Sequence, residues 1–109
     1  MANTFKNGTN DGLSSSFTDY VVCPNNTGDT CVVLSIYFTN TGGGSQTIGC
    51  KIVDDAGNTQ VTLADGMSIS AESAIELCPN KFVLTQGQKI QANANSTNVK
   101  LLISYMENT

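Results

Sequence analysis

A chain of 109 residues suits one domain and leaves no room for a catalytic unit plus a regulator. Five lysines, no arginine and no histidine stand against nine acidic residues, so the formal charge is −4 and nothing resembles the basic stripe of a nucleic-acid binder; no DNA or RNA partner is expected. Charged residues make up only 13% of the chain, which leaves surfaces rich in Asn, Thr, Ser, Gln and Gly, suited to meeting other protein copies or sugars.

The opening MANTFKNGTNDG has no basic segment followed by an apolar one, and no apolar run approaches membrane-spanning length. The expectation is a soluble product made in a cytosol, with no membrane partner. Sequons at Asn7, Asn25 and Asn95 then read as polar turn chemistry. Residues 1–14 hold one aromatic, Phe5, and cannot bury enough apolar area to fold alone, so they read as an extended N-terminal arm whose docking residues would be Phe5 and Lys6.

Residues 15–109 read as the folded domain. Phe17, Tyr20, Val21 and Val22 lead into Cys23-Pro24, where proline ends the ladder, and Asn25 to Asp29 turns. The run Cys31 to Thr39 alternates, with Val32, Leu34, Ile36 and Phe38 on one face and Cys31, Val33, Ser35, Tyr37 and Thr39 on the other. A glycine-rich loop, Asn40 to Ser45, precedes the apolar set Ile48, Cys50 and Ile52, and Asp54 to Asn58 turns again. Val61 and Leu63 form a short strand ended by Asp65-Gly66, with Met67 and Ile69 beyond it; Ile75 and Leu77 follow a polar corner. Three further runs close the chain: Phe82 and Leu84; Ile90, Ala92 and Ala94; then Val99, Leu101, Ile103 and Tyr105. No helical stripe is present, and about eight short strands predict an all-β, antiparallel β-sandwich or jelly roll.

The chemistry-bearing residues are sparse. Cys23, Cys31, Cys50 and Cys78 have neither knuckle spacing nor a histidine, so no metal is expected, and Cys50 reads as a small buried hydrophobe. Cys23 and Cys31 flank a short turn, and a disulfide there would contribute roughly 2–3 kcal/mol; both reduced and bridged states stay open. Asp54 to Asn58 lacks the spacing of a calcium loop. Asp19, Asp65, Glu72, Glu76 and Glu107 have no base or cation arranged beside them, so no catalytic residue, enzyme activity or cofactor is expected. Tyr20, Tyr37 and Tyr105 read as cross-strand packing ahead of a sugar platform.

The motifs MANTFKN, Thr18-Asp19-Tyr20 with its Pro24 turn, VVLSIYFTN, SISAESAIEL, FVLTQGQKIQA and VKLLISYME together span nearly the whole chain. In them the sequence resembles small virion structural proteins of tailed bacteriophages of marine and cyanobacterial type, although Gln88 stands where that group carries Asp. The resemblance implies a β-sandwich component of a phage particle, made in the host bacterial cytoplasm and located in the virion. Two functions remain open. One is a non-enzymatic capsid decoration or cement protein binding in multiple copies to the major capsid or other virion proteins; the other is a neck or tail fibre adhesin that binds host-surface carbohydrate through Asn25–Asp29, Gly42–Ser45 and Asn93–Asn98. Apolar residues left over on the second faces of two strands, Val33, Tyr37, Leu102 and Met106, mark a candidate oligomer face. A homo-oligomer follows, with threefold symmetry the first expectation from the resemblance.

Overall fold

The computed structural model describes residues 3–109, which form nine strands and no helix. They are β1 (Asn3–Asn10), β2 (Thr18–Val22), β3 (Thr30–Asn40), β4 (Gln46–Val53), β5 (Thr59–Ile69), β6 (Ser73–Glu76), β7 (Phe82–Thr85), β8 (Lys89–Ala94) and β9 (Val99–Asn108). One sheet, sheet A, has the order β1-β9-β3-β6, with β7 also on β3; the second, sheet B, has the order β2-β8-β4-β5. Every pairing is antiparallel, and the nesting is regular: β1 with β9, β2 with β8, β3 with β6 and β7, β4 with β5. A long hairpin rolled over on itself gives this order, so the sandwich is a jelly roll in which β6 and β7 share the place of one strand.

The alternation read from the sequence produces the core. Ile48, Cys50 and Ile52 of β4, Ile90, Ala92 and Ala94 of β8, and Val99, Leu101, Ile103 and Tyr105 of β9 are all buried between the sheets. Cys31 and Cys50 are fully buried there, and burial pushes both thiols up to about 12 from an ordinary 9.0. At neutral pH they act as small hydrophobes.

Three elements depart from the simple pattern. In β3 the pairing with β9 shifts register between Val33 and Ser35, which leaves Leu34 as an extra, bulged residue. Inward residues are therefore Cys31 and Val33 before the bulge but Ile36 and Phe38 after it. Val33, expected on the outer face, is fully buried, and Val32 takes the outward position instead. The opposite edge of β3 breaks at the same place, because β7 pairs residues 30–33 and β6 pairs residues 37–40. Side chains fill that gap. The Glu76 carboxylate accepts from the Ile36 N–H at 2.7 Å, Leu77 N–H donates to the Ile36 carbonyl at 2.9 Å, and the Cys78 Sγ lies 3.6 Å from the Val33 carbonyl, with the Asn80 carbonyl nearer to it at 3.2 Å.

The second departure is β5, which does not stop at Asp65-Gly66. Gly66 takes a φ of +66°, and the register shifts there as Met67 pairs Ile48 and Asp65 pairs Gly49. A glycine in the left-handed region absorbs the extra residue as a bulge, so the strand continues to Ile69. The third concerns residues 1–14, expected as an extended arm outside the folded domain. Residues 3–10 are instead an edge strand paired residue for residue with β9, while residues 1 and 2 lie outside the described region. Backbone pairing holds this segment where side-chain burial does not. Beyond it, Leu13 N–H donates to the Val99 carbonyl and the Leu13 side chain is fully buried.

One buried amide joins the two sheets at one end of the roll. Asn40, at the end of β3, donates from Nδ2 to the carbonyls of Gly44 at 2.8 Å and Ile69 at 3.1 Å and accepts from Gly42 N–H at 3.0 Å. Its polar atoms are thus matched inside the protein, as burial demands.

Three outcomes follow from this architecture. Glu76→Ala should cost about 1–3 kcal/mol by leaving the Ile36 N–H unmatched, and Glu76→Gln, which keeps an acceptor oxygen, should cost less; equal denaturation midpoints for both variants and the parent would refute the role of the carboxylate. Ile36→Ala should lose about 2–5 kcal/mol while Tyr37→Ser stays within about 0.5 kcal/mol, and the same denaturation curves would expose a wrong face assignment if the two behaved alike. The raised thiol values give a signed pH dependence: a fold that favours the protonated form keeps that contribution below pH 9.0 and loses it as pH rises towards about 12. Thermal midpoints should therefore fall across this range, and Cys50→Ala should flatten the fall.

Candidate functional site

Exposed large apolar side chains lie on both sheets, Val22, Val61 and Met67 on sheet B and Phe5, Tyr37, Val83 and Leu102 on sheet A. On sheet A, Phe5 pairs Met106, Met106 pairs Val32, and Val32 pairs Val83, so these four side chains form one row across β1, β9, β3 and β7. Phe5 is 74% exposed and Val83 54%. A second row on the same face joins Leu102 to Tyr37, which are 40% and 43% exposed. Of the residues expected on the oligomer face, Tyr37, Leu102 and Met106 therefore lie together on it; Val33 does not, and Phe5, Val32 and Val83 complete the surface. The bulge at Leu34 hid Val32 from a strict period-2 reading, and Phe5 was assigned to an arm.

Lys6 points away from this face, as neighbouring strand residues do, and its Nζ pairs with Glu107 at 3.1 Å. That carboxylate raises the lysine pKa, although the pair is exposed and contributes little. Cys23 and Cys31 are free and buried, burial pushes both thiols up, and the Cys23 thiol donates to the Leu84 carbonyl at 3.8 Å. The three loops expected to form one sugar site do not converge. Gly42–Ser45 lies with Asn98 at the end of β3, where Thr41 N–H donates to the Asn98 carbonyl, whereas Asn25–Asp29 lies at the start of β3, tied to Asp55 and Gln86. The three tyrosines are also dispersed: Tyr37 faces out from sheet A, Tyr105 is buried, and Tyr20 sits at the bulge of β2.

The carboxylates are mostly engaged locally. Asp19 is 3.7 Å from Lys89 and accepts from Gln91, and Glu76 is bound to backbone. Asp54 accepts from Ala56 and Asn58 N–H groups at 2.9 Å each, which lowers its pKa and closes a plain turn. Among the described residues no group of three or more His, Cys, Asp or Glu side chains is placed to hold a metal ion. Asp65 makes no side-chain hydrogen bond or ion pair among the described residues, and it lines a cavity.

That cavity, of about 220 Å³, lies on the outer face of sheet B and is lined by Ser15, Phe17, Thr47, Ile48, Asp65, Gly66, Asn93, Ala94 and Asn95. Next to it in β4 is Gly49, which pairs with Asn93 on one side and Asp65 on the other and lies under the Phe17 ring and Asn93 Oδ1. A β-carbon at position 49 would stand 2.9 Å from the Phe17 ring, so only glycine lets that ring settle over the sheet. The segment before β2 is held by its backbone, with Ala94 N–H donating to the Ser14 carbonyl at 2.9 Å and Asn93 Nδ2 to the Ser15 carbonyl at 3.0 Å. Lys51 Nζ stands 4.2 Å from the Phe17 centroid and caps the ring without lining the cavity. Phe17 and Asp65 were legible only as strand and turn residues; the interior glycine at position 49 was the signal of a close approach above the sheet.

No family model matches the chain, and no curated protein matches it. Among solved structures, a chain of the T13 IBDV viral particle is similar in fold, with a TM-score of 0.44 and 7% sequence identity, covering 96% of this chain and 34% of that one. The present chain thus spans about a third of that chain's length, and at this level the likeness carries no functional argument.

Proposed function

We propose that this protein is a non-enzymatic structural component of a virus particle, a capsid decoration or cement protein that binds in multiple copies and associates with itself through the outer face of sheet A. The observation that carries the reading is the row Phe5, Met106, Val32 and Val83 with Tyr37 and Leu102 beside it, a continuous apolar surface across β1, β9, β3 and β7. A second copy is the occupant that fits. The face carries little charge to repel its own kind, and β1 beside it is an eight-residue edge strand without proline, open to pairing with another edge. The jelly roll supports the reading by analogy alone, since the same architecture serves capsid and lectin domains. The sequence resemblance to tailed-phage virion proteins supplies the particle, its host-cytoplasmic origin and the preference for a trimer.

Light scattering of the purified protein at micromolar concentration should give a stable multiple of 11.5 kDa. The double variant Phe5→Ser, Leu102→Ser should dissociate it while the thermal midpoint of the subunit is retained. A clean monomer for the parent would overturn the self-association, and counting copies by mass spectrometry of purified particles separates decoration, with hundreds, from a fibre, with tens.

A further inference from the structure

The four sheet edges of the roll are not equally closed to a neighbour. A strand at an edge presents a row of unmatched N–H and C=O groups, and proteins blunt such rows with bulges, charges, proline or short strands. In sheet B, β2 is five residues long and shifts register at Tyr20, with the Asp19–Lys89 ion pair beside the shift, and β5 shifts register against β4 three times. In sheet A, the edge on β3 is divided between β6 and β7, four residues each, with Pro79 in the segment between them. β1 has none of these devices. It runs for eight residues, pairs with β9 residue for residue without a shift, holds no proline, and carries one charge, Lys6, which Glu107 already engages. Successive residues of an antiparallel strand direct their N–H and C=O groups to alternate sides, so every second residue of β1 bonds to β9 and the others face away from the sheet, where no described strand pairs with them.

We propose that this edge pairs antiparallel with β1 of a second copy across a twofold axis, joining two copies of sheet A into one continuous sheet. This contact rests on the self-association proposed above for its partner, a second copy, and adds a backbone seam that packing through the sheet A face does not require. A second β1 is the occupant that fits, because both sides of a seam must be regular: β6 and β7 offer four residues each, β2 and β5 are bulged, and among the described edges β1 alone offers another β1 a long ladder. Six of its eight residues are exposed, so pairing disturbs no core packing. The charges agree as well. In the register that sets Asn7 against Asn7 of the second copy, Lys6 meets Gly8 and Phe5 meets Thr9, so no like charges stand opposite each other. A twofold axis normal to the sheet keeps both outer faces on one side, and the row Phe5, Met106, Val32 and Val83 of each copy then lies on a single, doubled apolar surface. Phe5, 74% exposed in the single chain, gains a neighbouring strand on its open side.

The test combines the mass of the full chain in solution with amide exchange read residue by residue. Light scattering should give an even multiple of 11.5 kDa. The β1 amides directed away from β9 should exchange about tenfold or more slowly at concentrations where the oligomer forms than at dilution, because a second ladder covers them. Lys6 and Asn7 are neighbours in the strand, so one directs its N–H to β9 and the other to the free edge. Of Lys6→Pro and Asn7→Pro, one should therefore lower the thermal midpoint measured at dilution, and the other should keep it while raising the dissociation constant of the copies about tenfold or more. A monomeric parent would overturn the proposal, as would an odd multiple such as the trimer implied by the resemblance. An oligomer whose outward β1 amides exchange as fast as at dilution would overturn it while leaving the sheet A face in place. Slowed amides in an oligomer that the double variant Phe5→Ser, Leu102→Ser fails to dissociate would support the seam and remove the face contact instead.

Discussion

The arrangement depends on how β3 satisfies its backbone at one break. A central strand cannot leave N–H and C=O groups unmatched, because each buried orphan costs as much as a large core mutation. At Leu34 the strand takes an extra residue against β9 and loses its partner on the other edge between β7 and β6. The Glu76 carboxylate and the Leu77 amide take the place of that missing partner. A carboxylate accepts more than one hydrogen bond, so the same oxygen that receives Ile36 N–H also receives Cys78 N–H at 3.4 Å. The break is thereby made tolerable without a straight strand on both sides.

Its consequence reaches the exterior. Because side chains alternate, one extra residue exchanges the two faces, so the first half of β3 buries Cys31 and Val33 and the second half buries Ile36 and Phe38. Val32 is then free to join Phe5, Met106 and Val83, and Tyr37 to join Leu102. The outer apolar surface of sheet A is thus a product of the same bulge that keeps the core continuous.

Sheet B uses its irregularities differently. β5 is an edge strand interrupted by register shifts opposite Gly49, Cys50 and Ile52, which make it a poor template for edge pairing and turn Asp65 and Gly66 towards the cavity. Asp19, Gln91 and Lys51, side by side across β2, β8 and β4, keep this face wet.

Much of this was already written in the sequence. Alternation in residues 47–52, 89–94 and 99–105 determined that β4, β8 and β9 exist and placed Ile48, Cys50, Ile52, Ile90, Ala92, Ala94, Val99, Leu101, Ile103 and Tyr105 inside, whereas Val53, also buried, lies beyond the pattern at a register shift. The all-β class and the turns at Asn25 to Asp29 and Asp54 to Asn58 were legible for the same local reasons. Tertiary structure alone decided the rest. The alternation of β3 breaks at a bulge whose cost is met by residues 76 and 77, about forty positions away, and no local pattern announces that partner. Residues 3–10 carry too little apolar surface to read as a strand, yet β9 offers them a complete backbone ladder. Phe17, Thr47, Asp65 and Asn93 come from four separate segments and become one cavity only when β8, β4 and β5 lie side by side, because a site is defined by which strands neighbour one another and strand order is not a property of any single strand.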